Sequence, residues 1–112
     1  MTQPRTESPT DRNEAIQTIR KALRARSGKA WSVRGGTGTG WGWITITAPP
    51  ARRNEDDNMT DADRAELGNL LGLKGPAHRQ GVDVAASSDH RQEYIDRAEG
   101  RTPSVTGGTY WD

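Results

Sequence analysis

Two segments that alternate apolar with polar residues flank a run in which four of six residues are glycine. That arrangement leaves the chain little choice but a β-hairpin. The first segment is Lys29-Ala30-Trp31-Ser32-Val33-Arg34 and the second is Trp41-Gly42-Trp43-Ile44-Thr45-Ile46-Thr47. Both are rich in β-branched and aromatic residues, which suit a pleated, half-buried surface. Between them lies Gly35-Gly36-Thr37-Gly38-Thr39-Gly40, and Pro49-Pro50 ends the second strand because proline cannot donate to a ladder. Side-chain chemistry predicts a register with Arg34 opposite Trp41, Val33 opposite Gly42, Ser32 opposite Trp43 and Trp31 opposite Ile44. One face then holds Trp31, Val33, Ile44 and Ile46, and the other holds Ser32, Arg34, Trp41, Trp43, Thr45 and Thr47. A slip by one residue would mix the two sets.

Helices precede and follow the hairpin. Ser8-Pro9-Thr10-Asp11 marks a helix start, and Ala15, Ile16, Ile19, Ala22 and Leu23 form one apolar stripe. Gly28 stands at its C-terminal cap. A second helix begins at Thr60, where Thr60-x-x-Asp63 is a variant capping box, and buries Leu67, Leu70 and Leu71. Gly68 weakens that helix, and Gly72-Leu73-Lys74-Gly75-Pro76 stops it. Residues 81–86 read as a short strand. Ser87-Ser88-Asp89 then opens a last helix reaching about Ala98, with Tyr94 and Ile95 as its sizeable apolar residues. The expected fold is α+β in the order α-β-β-α-β-α: an antiparallel hairpin plus one strand, with helices mainly on one face. Residues 1–9 form a lead-in, 10–99 one domain with 51–58 as an exposed loop, and 100–112 a tail.

Composition limits what this domain can be. Leu, Ile and Val number fourteen among 112 residues and Phe is absent, so the core is small and stability is expected to be marginal, or reinforced by a partner or second copy. The absence of Cys excludes a disulfide scaffold or a thiolate zinc site. No apolar run is long enough for a membrane span or a signal peptide, which makes the cytoplasm the expected compartment. The net charge of +1 hides an uneven distribution. Residues 1–54 carry ten basic and three acidic side chains, whereas residues 55–112 carry six and twelve. The halves either neutralise each other in the folded chain or leave a basic surface for an anionic partner.

The polar hairpin face is the main candidate site. Single-stranded nucleic acid binds by stacking bases on aromatic rings while basic side chains track its phosphates. Trp41 and Trp43 supply rings, and Arg20, Arg24, Lys29, Arg34, Arg52 and Arg53 supply charge. The alternative use of the same tryptophans is an apolar hot spot for a protein partner or a second copy. No catalytic residue, cofactor or metal is expected. The glycine run lacks the spacing of a nucleotide-binding loop. His78 and His90 are too far apart in the chain to suggest a ligand pair, Ser87, Ser88 and Asp89 are explained by helix capping, and Glu55-Asp56-Asp57 lacks calcium-loop spacing.

Ile19-Arg20-Lys21-Ala22-Leu23 followed by Ser32-Val33-Arg34 and a second strand after a glycine-containing turn resembles small domains appended to large polyvalent proteins of phages and conjugative plasmids. The resemblance spans residues 16–46, about a quarter of the chain. It implies a bacterial, phage or plasmid setting and carries no chemistry to particular residues.

Overall fold

The hairpin strands pair, but in a register displaced from the one side-chain chemistry predicts. A computed structural model describes residues 9–37, 42–86 and 88–104. The elements are α1 (Pro9–Ser27), β1 (Ser32–Gly35), β2 (Trp43–Thr47), α2 (Asp61–Leu71), β3 (Gly81–Ala85) and α3 (Ser88–Ala98), with a 3₁₀ turn at Pro50–Arg52. The fold is α+β in the expected order. Its sheet runs β1-β2-β3 with both pairings antiparallel.

Val33 faces Ile46, Arg34 faces Thr45 and Gly35 faces Ile44. The expected partners of Arg34 and Val33, Trp41 and Gly42, are therefore replaced by residues four further along. Two effects account for the change. Val33 against Ile46 joins two β-branched core residues, a better cross-strand pair than valine against glycine. Gly35 also leaves space for Arg12, since a Cβ there would lie 2.5 Å from the Arg12 guanidinium carbon. The displacement is even-numbered, so every side chain keeps its face. Trp31 leaves the strand and is buried, with its indole Nε1 donating to Ser27 Oγ at 3.0 Å.

Val33, Ile44, Ile46, Val82 and Val84 form the inner face, each no more than 4% exposed. They pack with Ile16, Ile19 and Leu23 of α1, Leu67, Leu70 and Leu71 of α2, and Tyr94 of α3. Met59 and Ala77, from the connections flanking α2, complete this core. All three helices thus contribute to one side of the sheet. On the other side Ser32 and Arg34 are exposed, and Trp43, Thr45, Thr47, Gly81, Asp83 and Ala85 are partly so.

Capping follows the sequence closely. Thr60 Oγ1 accepts from the Asp63 amide at 3.2 Å, and Gly72 closes α2 in the left-handed conformation at φ 73°. Gly68 has a role beyond weakening its helix. A Cβ there would lie 2.5 Å from the Gly75 carbonyl oxygen, so the glycine lets the chain leaving α2 fold back across it.

Two segments outside the main helices and strands carry hydrogen bonds of their own. Within 51–58, the amide of Asn54 donates to Asn58 O, Asn54 Oδ1 accepts from the amides of Asp56 and Asn58, and Arg53 forms a bridge with Met59. The start of the expected tail is fastened to α3. Buried Asp96 accepts from Arg101 Nη2 at 2.8 Å, from the Ser104 amide at 2.9 Å and from Gln92 Nε2 at 2.9 Å. The lead-in residues 1–8 and residues 105–112 lie outside the described residues.

This clasp has a pH signature. Hydrogen bonding from Arg101, then from the Ser104 amide and Gln92, holds the Asp96 carboxyl well below the usual carboxylate range. A carboxyl depressed on folding stabilises the native state above its unfolded pKa of about 4, and that contribution disappears as pH falls through the folded value. Urea melts are therefore expected to show stability falling from about pH 4 downward. Asp96→Asn should flatten part of that decline and speed amide exchange at Arg101, Thr102 and Ser104. An unchanged acid limb would show that the clasp contributes nothing.

Candidate functional site

Period-two alternation places the site. With Ile44 and Ile46 turned into the core, Trp43, Thr45 and Thr47 must face the opposite way. Trp43 is the first residue of β2 and is half-buried on this outer face. Its strand neighbours are small. The Gly36 amide donates to the Trp43 carbonyl at 2.9 Å on one side, and Ala85 pairs with it on the other. Arg34 is exposed on the same face, in the row where Arg34, Thr45 and Asp83 lie side by side across the three strands. Thr45 Oγ1 donates to Asp83 Oδ1 at 2.6 Å.

The basic residues divide into two groups. Arg20 reaches from α1 to β1, where Nη2 donates to the Val33 carbonyl at 2.6 Å. In this register the Val33 carbonyl points away from β2, so Arg20 lies along the free edge of the sheet. A guanidinium has five N–H donors, and one such bond leaves its charge and most of its donors available. Arg24 is exposed one helical turn further along the same flank of α1, and Lys29 is exposed in the turn leading to β1. Arg20 thus reaches the β1 edge of the sheet, with Arg24 next to it on α1.

Arg52 and Arg53 belong elsewhere. The Arg52 guanidinium is paired with Asp63 at the start of α2. Arg53 donates through Nε and Nη2 to the Ala48 carbonyl at 3.2 and 2.8 Å and pairs with Asp57. Both sit beyond Thr47, at the end of β2 away from Trp43, and tie the β2–α2 connection together. The structure therefore does not bring them to the aromatic face. Trp41 lies outside the described residues.

Two charged residues near the hairpin end escaped the sequence reading. Arg12 Nη1 donates to the Gly36 carbonyl at 2.9 Å, with its guanidinium against Gly35 on the helix side of the sheet. Asp83 brings a carboxylate onto the outer face itself. The phase of β3 was the available signal for the second: with Val82 and Val84 inward, Gly81, Asp83 and Ala85 must face out. Nothing local in sequence marked Arg12, which depends on a contact 24 residues away.

The remaining polar candidates have structural surroundings. His90 stacks on Tyr94 at 6.4 Å between ring centroids, and the Tyr94 hydroxyl donates to the Ala85 carbonyl at 2.7 Å. Burial, with a smaller effect from Glu93, holds that phenol above its ordinary pKa. His78 is exposed. Ser87 and the side chains of Ser88 and Asp89 lie outside what the structure describes. Among the described residues no three His, Cys, Asp or Glu side chains converge as a metal site, and no helix is long and apolar enough to cross a membrane. Comparison with known protein families, curated proteins and solved structures gives no significant match to this chain.

Proposed function

We propose that this chain is a non-enzymatic accessory domain of bacterial, phage or plasmid origin that binds single-stranded nucleic acid on the outer face of its sheet. The observation that carries the reading is Trp43, half-buried on the side of the sheet opposite the helices and flanked in the ladder by Gly36 and Ala85. The part of the indole left exposed on that face offers a surface on which a base can stack. Arg34 on the same face, with Arg20 and Arg24 along the adjoining edge, supplies charge for the phosphates. The resemblance to mobile-element domains bears on the setting of the domain alone.

The test is intrinsic tryptophan fluorescence titrated with a mixed-sequence single-stranded oligonucleotide. Binding should quench emission, and Trp43→Ala should weaken it by about 1–3 kcal/mol, the usual value of one stacked base. If Arg20, Arg24 and Arg34 each neutralise one phosphate, log K should fall against log salt with a slope of about −2. No quenching at low ionic strength would overturn the reading. So would sedimentation in which mass rises with protein concentration and Trp43→Ala abolishes the rise without any oligonucleotide effect, because the face would then serve self-association.

A further inference from the structure

Charge is distributed unevenly across the outer face. Arg34 occupies the β1 end of the central row, Thr45 its middle and Asp83 its β3 end. Beyond β1, Arg20 lies against the carbonyl of Val33 on the free edge of the sheet. A phosphate backbone is therefore attracted to the β1 side and repelled from the β3 side. Trp43 pairs with Ala85, which makes Asp83 its diagonal neighbour on the same face. Diagonal positions of this kind lie about 7–8 Å apart, within reach of a large planar group.

We infer that Asp83 is a base-specificity residue, and that this face prefers guanine to thymine or uracil in single-stranded nucleic acid. The inference rests on the function proposed above. With the backbone on the β1 side, a base stacked on Trp43 extends its Watson–Crick edge toward β3. An ionised carboxylate only accepts hydrogen bonds. Guanine presents two adjacent donors there, N1–H and the N2 amino group, which match the two oxygens of a carboxylate. Thymine and uracil present one donor between two carbonyl oxygens, and those oxygens repel an anion. Adenine and cytosine, with one amino donor each, fall between. The Thr45 hydroxyl contributes by holding Asp83 Oδ1 at 2.6 Å, which fixes the carboxylate while each oxygen keeps acceptor capacity.

The experiment compares four single-stranded DNA octamers on the full chain by fluorescence anisotropy: all thymine, alternating thymine–guanine, alternating thymine–inosine and alternating thymine–cytosine. Inosine keeps N1–H and lacks the amino group. The expected order of affinity is guanine first, inosine and cytosine intermediate and thymine last, with guanine over thymine between about 5- and 100-fold. Asp83→Asn, whose side-chain oxygen can still accept from Thr45, should retain the fold by circular dichroism and abolish most of the guanine preference. Equal affinity for all octamers would overturn the inference while leaving nucleic-acid binding intact. Uniform tightening of all four in Asp83→Asn would also overturn it, because the carboxylate would then act only by repelling phosphate. Failure of every octamer to bind would remove the underlying function as well.

Discussion

Gly81→Ala is expected to cost about 3 kcal/mol or more, at the upper end of the range for overfilled sites. Gly81 is the first residue of β3 and pairs with Thr47. A Cβ at this position would lie 1.9 Å from the Ile46 carbonyl oxygen and 2.9 Å from the Thr47 Cα. Both are backbone atoms of the central strand, so no change of rotamer relieves the clash. Either β3 moves away from β2 or the ladder opens at that end. Val82, next along, is a core residue, so separation there also exposes apolar surface. Small domains have only about 5–15 kcal/mol of stability in total, and this core contains few large side chains. Urea unfolding followed by circular dichroism should show a lower midpoint with an unchanged slope. Gly42→Ala is the matched control, because nothing lies within 4 Å of a Cβ there, and its midpoint should barely move. Equal midpoints for the two variants would mean that β3 does not approach β2 at Gly81.

The same close approach shows which parts of this fold are legible from residue order. Alternation in β2 and β3 assigns inner and outer faces without knowledge of register, because the side-chain period is two and the actual displacement is even. Trp43 and Arg34 could therefore be placed on one face even though neither has the strand partner that side-chain chemistry favoured. Register itself depends on which partner Val33 finds and on whether Gly35 can accommodate Arg12, a contact that arises only after α1 has folded onto β1. Gly68 illustrates the same limit. Propensity alone marks it as a weak point in α2, whereas its function is to admit the Gly75 carbonyl. Arg52 and Arg53 are indistinguishable from surface cations in sequence. Only the 3₁₀ turn at Pro50–Arg52 and the return of the chain at Met59 direct them to Asp63, Ala48 and Asp57. Asp83 was legible in principle, since it follows from the phase of a five-residue strand.

Two tryptophans in one hairpin should respond oppositely to the same substitution. Trp31 is 5% exposed, and its indole rests near Leu23 and Leu67 at a small cavity bordered by the Arg26–Glu66 and Arg52–Asp63 ion pairs. Its Nε1 donates to Ser27 Oγ, which in turn donates to the Leu23 carbonyl at 2.8 Å and accepts from the Lys29 amide at 3.1 Å. The ring thus fills the space between α1 and α2 and also anchors the turn from α1 into β1. Trp31→Ala is expected to cost about 3–5 kcal/mol, the range for removing a large buried aromatic side chain. That is enough to leave much of a marginal domain unfolded. Trp43 lies half-buried on the outer face, so Trp43→Ala removes less buried area and should cost about 1 kcal/mol. Thermal melts of the two variants separate the roles, and oligonucleotide titration of whichever variant remains folded assigns binding. The expected pattern is a Trp31→Ala chain with a collapsed melting transition and a Trp43→Ala chain that melts nearly as the parent does but binds single strands about 1–3 kcal/mol more weakly. A Trp43→Ala chain that unfolds as readily as Trp31→Ala would instead make the outer indole part of the fold's own support, and the sheet face would lose its role as a ligand surface.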